Sequence, residues 1–328
     1  MNTQIGLKHR GANPQGVSID TLIADAPSLA ELYNCSDELD IYTRSSPHYE
    51  VIGEQWNKLG STRPLALIRP HTEAAVQAIV RFCSAHEIPF AVRSGGNAWH
   101  GQSRPGNDGI QIDMRAMNSV EIVKYERVTS DGSSGVALIG GGTLCAGVEK
   151  QLHAEGVITP TAWTSSVGFI GWACGGGYGV LSSKWGMGCD NIVGARLILA
   201  SGEIVDTDDE QHKELLWAVR GAGNGTFGVI TELRVKVYPY PAMLSGLIGF
   251  PLTEVKEVIR GFRGLEESGR RGYSTGESCV IYPPGAVPLF CFIFAWIAED
   301  GNLDEGKAHL EKIKSLGPVV LDTVSEGE

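Results

Sequence analysis

The sequence has 328 residues, of which 42% are hydrophobic and 20% charged, a composition typical of a globular protein with a sizeable core. Its formal net charge of −11 argues against nucleic acid or an anionic membrane surface as the main partner. No apolar stretch is long enough to span a bilayer, and residues 1–20 lack the apolar segment of a signal peptide, so the sequence predicts a cytoplasmic protein.

Residues 1–60 carry few periodic signals apart from a possible short helix at Pro27–Cys35, and we interpret them as an irregular lead-in. The first organised unit begins with a strand at Leu65–Ile68. A helix with Thr72 as its N-cap follows, because apolar residues then recur at helical spacing. A second short strand, Phe90–Val92, leads directly into the glycine-rich stretch at residues 93–96. The pattern therefore predicts a strand, a helix and a strand that ends in a glycine loop.

The loop Arg93-Ser94-Gly95-Gly96 has the features of an anion-binding site. Glycines adopt conformations that other residues avoid, and successive backbone N–H groups form a concavity that complements phosphate. Arg93 is a candidate counter-charge for the same group. Because a Gly-Gly pair is often only a turn, this interpretation depends on further glycine clusters in the chain.

The second unit contains three such clusters, of which the last lies at residues 221–228. Two predicted strands precede Gly140-Gly141-Gly142, which leads into a helix, and a second cluster, Gly175-Gly176-Gly177-Tyr178-Gly179, lies further along. A hairpin is predicted around Ser201-Gly202, and the unit ends with an alternating strand before Pro239. The 43 glycines of the chain are clustered rather than periodic, which indicates several close approaches of the backbone to one large ligand.

The glycine clusters end after Pro241, and a third unit begins. Its predicted strands include Leu244–Phe250 and Leu289–Trp296, and a helix lies between them at Leu252–Phe262. A last strand begins at Val319–Leu321, a few residues before the end of the sequence. We therefore expect a sheet that is incomplete at its C-terminal side.

Four blocks of this sequence resemble a known family: V-R-S-G-G at 92–96, D-M-R-x-M-N at 113–118, G-x-x-G with G-G-G-Y-G at 168–179, and L-W-A-x-R-G-x-G with F-G-V-I-T at 216–231. In this order they are similar to FAD-binding oxidoreductases of the vanillyl-alcohol oxidase and p-cresol methylhydroxylase (PCMH) type, particularly the berberine bridge enzyme-like branch.

The resemblance implies an α+β fold, in which a two-lobed PCMH-type FAD-binding domain precedes an incomplete α+β substrate domain with an antiparallel sheet. The implied FAD-binding domain covers residues 61–240, with lobes at about 61–118 and 119–240, and the partial substrate domain covers 241–328.

The resemblance also implies which residues bind FAD. Residues 93–97 correspond to the pyrophosphate loop, the later glycines line the cofactor, and the backbone at Val229 faces the adenine. The candidate cofactor-binding residues are Arg93, Ser94, Gly95, Gly96, Asn97, His100, Gly101, Thr161, Gly168, Gly171, Gly175, Gly176, Gly177, Gly179 and Val229.

Two positions depart from the family pattern and bear on how FAD is held. Many members attach FAD through a histidine where this sequence has Asn97, and some use a cysteine where it has Thr159. We therefore predict non-covalent FAD, with His100 as a weaker candidate for contact with the flavin ring. The seven cysteines include no C-x-x-C pair, so no metal site is predicted.

The implied function is that of a FAD-dependent oxidoreductase, either an oxidase or a dehydrogenase. A small, secondary-metabolite-like substrate would give hydride to flavin N5 from a C–H next to a hydroxyl or amine, with O2 as the electron acceptor. The catalytic base is unassigned, and Tyr273 and Tyr282 are the candidates. Two alternatives stay open: an FAD-binding chain without activity, and a non-oxidative cyclase on the same scaffold. The sequence does not specify the oligomeric state.

Overall fold

The computed structural model describes residues 24, 26–35, 38–58, 62–223, 225–267, 273–283, 285, 287–298 and 301–327. The strands are β1 (Leu39–Thr43), β2 (Ala66–Pro70), β3 (Phe90–Arg93), β4 (Ile110–Asp113), β5 (Val120–Lys124), β6 (Gly135–Gly140), β7 (Val157–Ile158), β8 (Ile192–Ile198), β9 (Ile204–Asp208), β10 (Val229–Pro239), β11 (Met243–Pro251), β12 (Tyr273–Ile281), β13 (Leu289–Ile297), β14 (Leu321–Asp322) and β15 (Ser325–Glu326). The α-helices are α1 (Ala30–Cys35), α2 (Tyr49–Gly53), α3 (Glu73–Ala85), α4 (Cys145–Ala154), α5 (Phe169–Cys174), α6 (Ser182–Trp185), α7 (Lys213–Ala222), α8 (Val255–Glu267) and α9 (Asp304–Lys314).

The first lobe is a four-stranded sheet in the order β1-β2-β4-β3. Strands β2, β4 and β3 are parallel, and β1 adds an antiparallel edge. Helix α3 connects β2 to β3 and buries Val76 and Ile79 in the core of this lobe. It begins at the predicted N-cap, because Thr72 Oγ1 accepts a hydrogen bond of 3.3 Å from the N–H of Ala75. The connection from β3 to β4 contains the predicted anion-binding loop.

The second lobe is an antiparallel sheet in the order β5-β6-β10-β8-β9, with β7 paired to the end of β10. Residues of helices α4, α5 and α7, such as Val148, Phe169 and Val219, are buried in one core with Leu233 and Val235 of β10. The predicted hairpin around Ser201 and Gly202 is present as the turn between β8 and β9. This lobe therefore places helix α5 and its glycines beside the centre of its sheet.

Side chains of α3 join the two lobes. Glu73 Oε1 accepts a hydrogen bond of 2.8 Å from Arg196 Nε of β8. Two donors further along α3, Gln77 Nε2 and Ser84 Oγ, each bind a backbone carbonyl of the β8–β9 turn at 2.7 Å. These contacts hold the lobes in one relative position, which fixes the width of any cleft between them.

The third unit is an antiparallel sheet in the order β12-β13-β11-β14, with β15 also paired to β11. Helices α8 and α9 cover one face of the sheet through an aromatic core that contains Phe250, Phe292 and Trp296. The strand predicted to begin at Val319 is β14, which begins at Leu321, although the backbone N–H of Val320 already binds the carbonyl of Gly249 in β11 at 2.9 Å.

Helices together with one mixed and two antiparallel sheets confirm the predicted α+β class. The predicted domain boundary at residue 240 stays a prediction, and it falls between β10 and β11. Among the described residues, no helix combines the length and the apolar composition that a membrane span requires.

Candidate functional site

A cleft of about 850 Å³ lies between the two lobes. The first lobe contributes β3 and the loop that follows it, and the second contributes the start of α5, the end of β8 and the start of β10. An extended cleft of this size, lined by backbone and by apolar side chains, suits a large organic ligand.

The two sides of the cleft meet through glycines. An ideal Cβ placed on Gly95 would collide with the backbone N of Gly168 and would lie 2.7 Å from the carbonyl oxygen of Ser166. Asn97 Nδ2 donates a hydrogen bond of 2.8 Å to the same carbonyl. The loop after β3 therefore packs directly on the segment that enters α5, and a side chain at Gly95 or Gly168 would separate them.

Gly96 adopts a φ of +76°, a conformation in the left-handed region that favours glycine. An ideal Cβ on this residue would lie 2.9 Å from Arg93 Nε, so the guanidinium packs against the backbone of the loop. Arg93 itself is 3% exposed and donates hydrogen bonds to the carbonyl oxygens of Ile52 and Glu54. Its guanidinium thus lies behind the loop, and Arg93 is absent from the cleft lining.

Charged groups surround Arg93 on its buried side. Asp113, which is fully buried, accepts hydrogen bonds from Arg69 Nη2 at 2.7 Å and from Arg115 Nη2 at 2.8 Å. Burial raises the pKa of Asp113, but the hydrogen bonds and charges of Arg115 and Arg69 outweigh burial and hold this pKa well below its usual range. Burial and repulsion from Arg115 lower the pKa of Arg93 to about 10, so it stays cationic at neutral pH.

Several features of the lining fit a dinucleotide cofactor. Ser94 Oγ is buried and has no hydrogen-bond partner among the described residues, which leaves a donor beside the loop for a ligand oxygen. An ideal Cβ on Gly171 would meet nothing within 4 Å, so the backbone there faces open space. Phe90, Val92 and Val229 add apolar walls. The residues present therefore fit FAD, with polar groups at the loop and flat apolar surfaces on either side.

Exposed aromatic rings border the same cleft. Trp56 and Trp99 are 62% and 69% exposed, and their ring centroids are 5.0 Å apart. Trp163 and Tyr178 line the cleft from the second lobe. Sequence reasoning missed Trp56 and Trp99, because no local motif links two tryptophans from separate loops.

The structure brings about half of the predicted cofactor-binding residues to the cleft. Those in its lining are Ser94, Gly95, Gly96, Asn97, His100, Gly168, Gly171 and Val229. The remaining predicted residues, which are outside the lining, are Arg93, Gly101, Thr161, Gly175, Gly176, Gly177 and Gly179.

Two of the glycines outside the lining, Gly177 and Gly179, make room for neighbouring groups. Gly177 has a φ of +77°, and an ideal Cβ there would lie 3.0 Å from the ring of Trp172. At Gly179 a Cβ would collide with the carbonyl oxygen of Thr161, whose hydroxyl donates to Glu149 Oε1 at 2.7 Å. These contacts position Trp172, which lines the cleft.

Neither candidate base lies in the described cleft lining. Tyr282 is 75% exposed and follows β12, outside the lining. The backbone of Tyr273 starts β12, but its side chain lies outside the described residues. Within the described part of the chain, no group of three or more His, Cys, Asp or Glu residues could hold a metal ion.

Comparison with known proteins gives concordant results. Residues 64–208 match the family model described as FAD binding domain. The chain is 35% identical over 314 residues to the FAD-linked oxidoreductase aurO of Gibberella zeae, which covers 94% of this chain and 58% of the relative. It is 36% identical over 281 residues to (R)-6-hydroxynicotine oxidase of Paenarthrobacter nicotinovorans, covering 84% of this chain and 58% of that protein.

Solved structures show the same relationship at the level of the fold. The crystal structure of 6-hydroxy-D-nicotine oxidase from Arthrobacter nicotinovorans superposes with a TM-score of 0.75 at 28% identity, covering 89% of this chain and 62% of that one. BBE-like 1 of Physcomitrella patens superposes with a TM-score of 0.74 at 20% identity, covering 95% and 62%. The chain thus spans 58% of the length of the first two curated relatives. It contains an FAD-binding domain, is related to the FAD-linked oxidoreductases, and has the fold of the vanillyl-alcohol oxidase and berberine bridge enzyme-like flavoproteins.

Proposed function

We propose that the chain binds FAD non-covalently in the cleft between its lobes and acts as a FAD-dependent oxidoreductase. The observation that carries this proposal is the glycine contact between the loop after β3 and the start of α5, which leaves backbone lining the cleft and Ser94 Oγ buried beside it without a partner among the described residues. When bound, FAD supplies an acceptor for hydride from a C–H next to a hydroxyl or amine of the substrate.

The residues of the chain bind and orient the cofactor in this proposal. Backbone N–H groups of Gly95 and Gly96 and the hydroxyl of Ser94 donate to the pyrophosphate. The backbone at Gly171 and the apolar wall at Val229 pack against flat rings, since neither presents a bulky side chain to the cleft. The lining aromatics limit the access of water to the cofactor.

The side chains at the two departures from the family pattern favour non-covalent binding. Asn97 lines the cleft, but its amide is a donor to the carbonyls of Gly95 and Ser166 and is no nucleophile. Thr159 is 1% exposed and donates to the carbonyl of Lys236 at 2.8 Å. No cysteine is present among the described residues of the cleft lining. His100 and Tyr178 are nucleophilic side chains that do line the cleft.

We infer the substrate class and the electron acceptor by analogy with the relatives. One relative is named as an oxidase of hydroxynicotine. By analogy we propose a small-molecule substrate of secondary-metabolite type and O2 as the electron acceptor for the protein to which this chain belongs.

An absorbance spectrum of the purified protein, followed by acid precipitation, tests the proposal. We expect flavin bands in the native protein and their complete transfer to the supernatant after precipitation. Flavin retained in the pellet would contradict non-covalent binding and would indicate His100 or another nucleophile as the attachment site. A protein without flavin bands after addition of FAD would contradict the proposed function itself. Bleaching of the bands by a substrate, followed by recovery in air, would separate an active oxidase from a chain that only binds FAD.

A further inference from the structure

Positive charge is in excess on the buried side of the loop after β3. Three arginines surround the buried carboxylate of Asp113, and two of them, Arg69 and Arg115, bind it at 2.7 and 2.8 Å. Register pairing places Arg93 of β3 directly beside Asp113 of β4. The single carboxylate of Asp113 therefore lies among three guanidinium groups.

Other acidic residues near the cluster do not remove this excess. Asp40 is near Arg69 and also contacts His71 Nε2 at 3.1 Å. The carboxylate of Glu54 pairs with Lys58 at 2.6 Å, although its backbone carbonyl accepts from Arg93. Even when Asp40 is assigned to Arg69, one positive charge remains without a carboxylate partner.

That charge resides on Arg93. Its hydrogen bonds in the described structure go to neutral backbone carbonyls, and its buried Nε has no partner among the described residues. An unpaired cation removed from water is energetically costly, so such a group is expected to have a compensating anion.

The cleft offers the place for that anion. Gly96 has the Arg93 guanidinium packed against it, at 2.9 Å from the position of an ideal Cβ, and Gly96 also lines the cleft. The backbone of Gly96 therefore separates the buried charge from the space inside the cleft. The nearby Ser94 carries a hydroxyl without a partner among the described residues.

We propose that Arg93 supplies counter-charge to the pyrophosphate of FAD from behind the Gly95-Gly96 backbone, with Arg69, Arg115 and Asp113 as the residues that position it. This inference rests on the proposed binding of FAD in the cleft. The arginine acts through the backbone rather than as a direct ligand, and because it is buried its field is screened less by salt than that of a surface lysine or arginine.

The proposal is tested by changing charge and geometry separately at Arg115. Arg115→Gln and Arg115→Lys both remove the bidentate guanidinium, but only the first removes a positive charge from the cluster. We expect similar losses of thermal stability in the two apoproteins. We expect Arg115→Gln to weaken FAD binding about tenfold, which is the size of effect that the loss of one unit charge produces at an effective dielectric of about 20. We expect Arg115→Lys, which keeps the charge, to bind FAD within about twofold of wild type.

A matched control is Arg234→Gln. Arg234 resembles Arg115 in exposure, at 26% against 29%, and also pairs with two carboxylate oxygens, but it lies in the second lobe and outside the cleft lining. The Arg234→Gln variant is expected to bind FAD with the same affinity as wild type. If Arg115→Gln does not fold, Arg69→Gln, which removes the other positioning arginine, takes its place in the comparison.

The possible failures are distinguishable. Equal FAD affinities for wild type and Arg115→Gln, or equal losses for Arg115→Gln and Arg115→Lys, would overturn this inference and leave the proposed function intact. Wild-type protein that binds no FAD would overturn both.

Discussion

The cleft and the third sheet differ in how their neighbouring segments pack together. At the cleft, two loops meet backbone to backbone because Gly95 and Gly168 have no side chains. In the third sheet, aromatic rings fill the space between strands and helices, and Phe292 stacks on Phe262 with ring centroids 4.5 Å apart. The first arrangement exposes backbone donors to a ligand, whereas the second buries apolar area for stability. If FAD binds as proposed, changes in these two regions should affect binding and stability to different degrees.

The largest effect on stability is expected from Phe292→Ala. Phe292 is 4% exposed and contacts the rings of Phe250, Phe262 and Phe290. Removal of a buried phenylalanine ring costs about 3–5 kcal/mol in lost burial and cavity formation. Denaturant unfolding should show this loss, while the protein that remains folded should bind FAD as wild type does.

The control for this change is Tyr282→Phe, since Tyr282 is 75% exposed. Its free energy of unfolding should stay within about 0.5 kcal/mol of wild type. A Phe292→Ala protein that keeps its stability but loses FAD affinity would break the division between the two regions.

A smaller loss of stability, but a larger loss of binding, is expected from Gly95→Ala. The added methyl group would collide with the backbone of Gly168, and neither loop has a flexible side chain there that could move away. Overpacking of this kind lowers the free energy of unfolding by about 1–3 kcal/mol. Here it would also push the loop after β3 away from the segment that enters α5, and so change the shape of the proposed cofactor site. Thermal unfolding and FAD titration of the same sample would measure both effects. FAD affinity equal to that of wild type would contradict the importance of this backbone contact.

The sequence predicted the features that depend on local patterns. The N-cap at Thr72 and the hairpin at Ser201 and Gly202 follow from residue type and periodicity, and the structure contains both. Apolar runs in the sequence also predict strands of the third sheet. The predicted start of β14, at Val319, is two residues before its start in the structure. Ordered glycine blocks identified the cofactor family, since several close backbone approaches are rare outside such sites.

Features set by distant contacts could not be predicted. The sequence predicts Arg93 as a counter-charge for the ligand, but it does not predict that the backbone carbonyls of Ile52 and Glu54, about 40 residues earlier, hold the guanidinium behind the loop. The glycines at 175–179 are predicted to bind the cofactor, and two of them, Gly177 and Gly179, make room for Trp172 and Thr161. In both cases residue type was informative, but the direction in which each group faces depends on tertiary packing.

Titration of the chain with FAD, followed by tryptophan fluorescence, tests the central claim most directly. Four of the seven tryptophans, Trp56, Trp99, Trp163 and Trp172, line the cleft. We expect saturable quenching at one FAD per chain. We also expect weaker binding by Gly171→Ala, because the added methyl group meets nothing within 4 Å in the protein and lies at the cleft lining. Unchanged affinity of Gly171→Ala, in a protein as stable as wild type, would contradict the placement of FAD in this cleft.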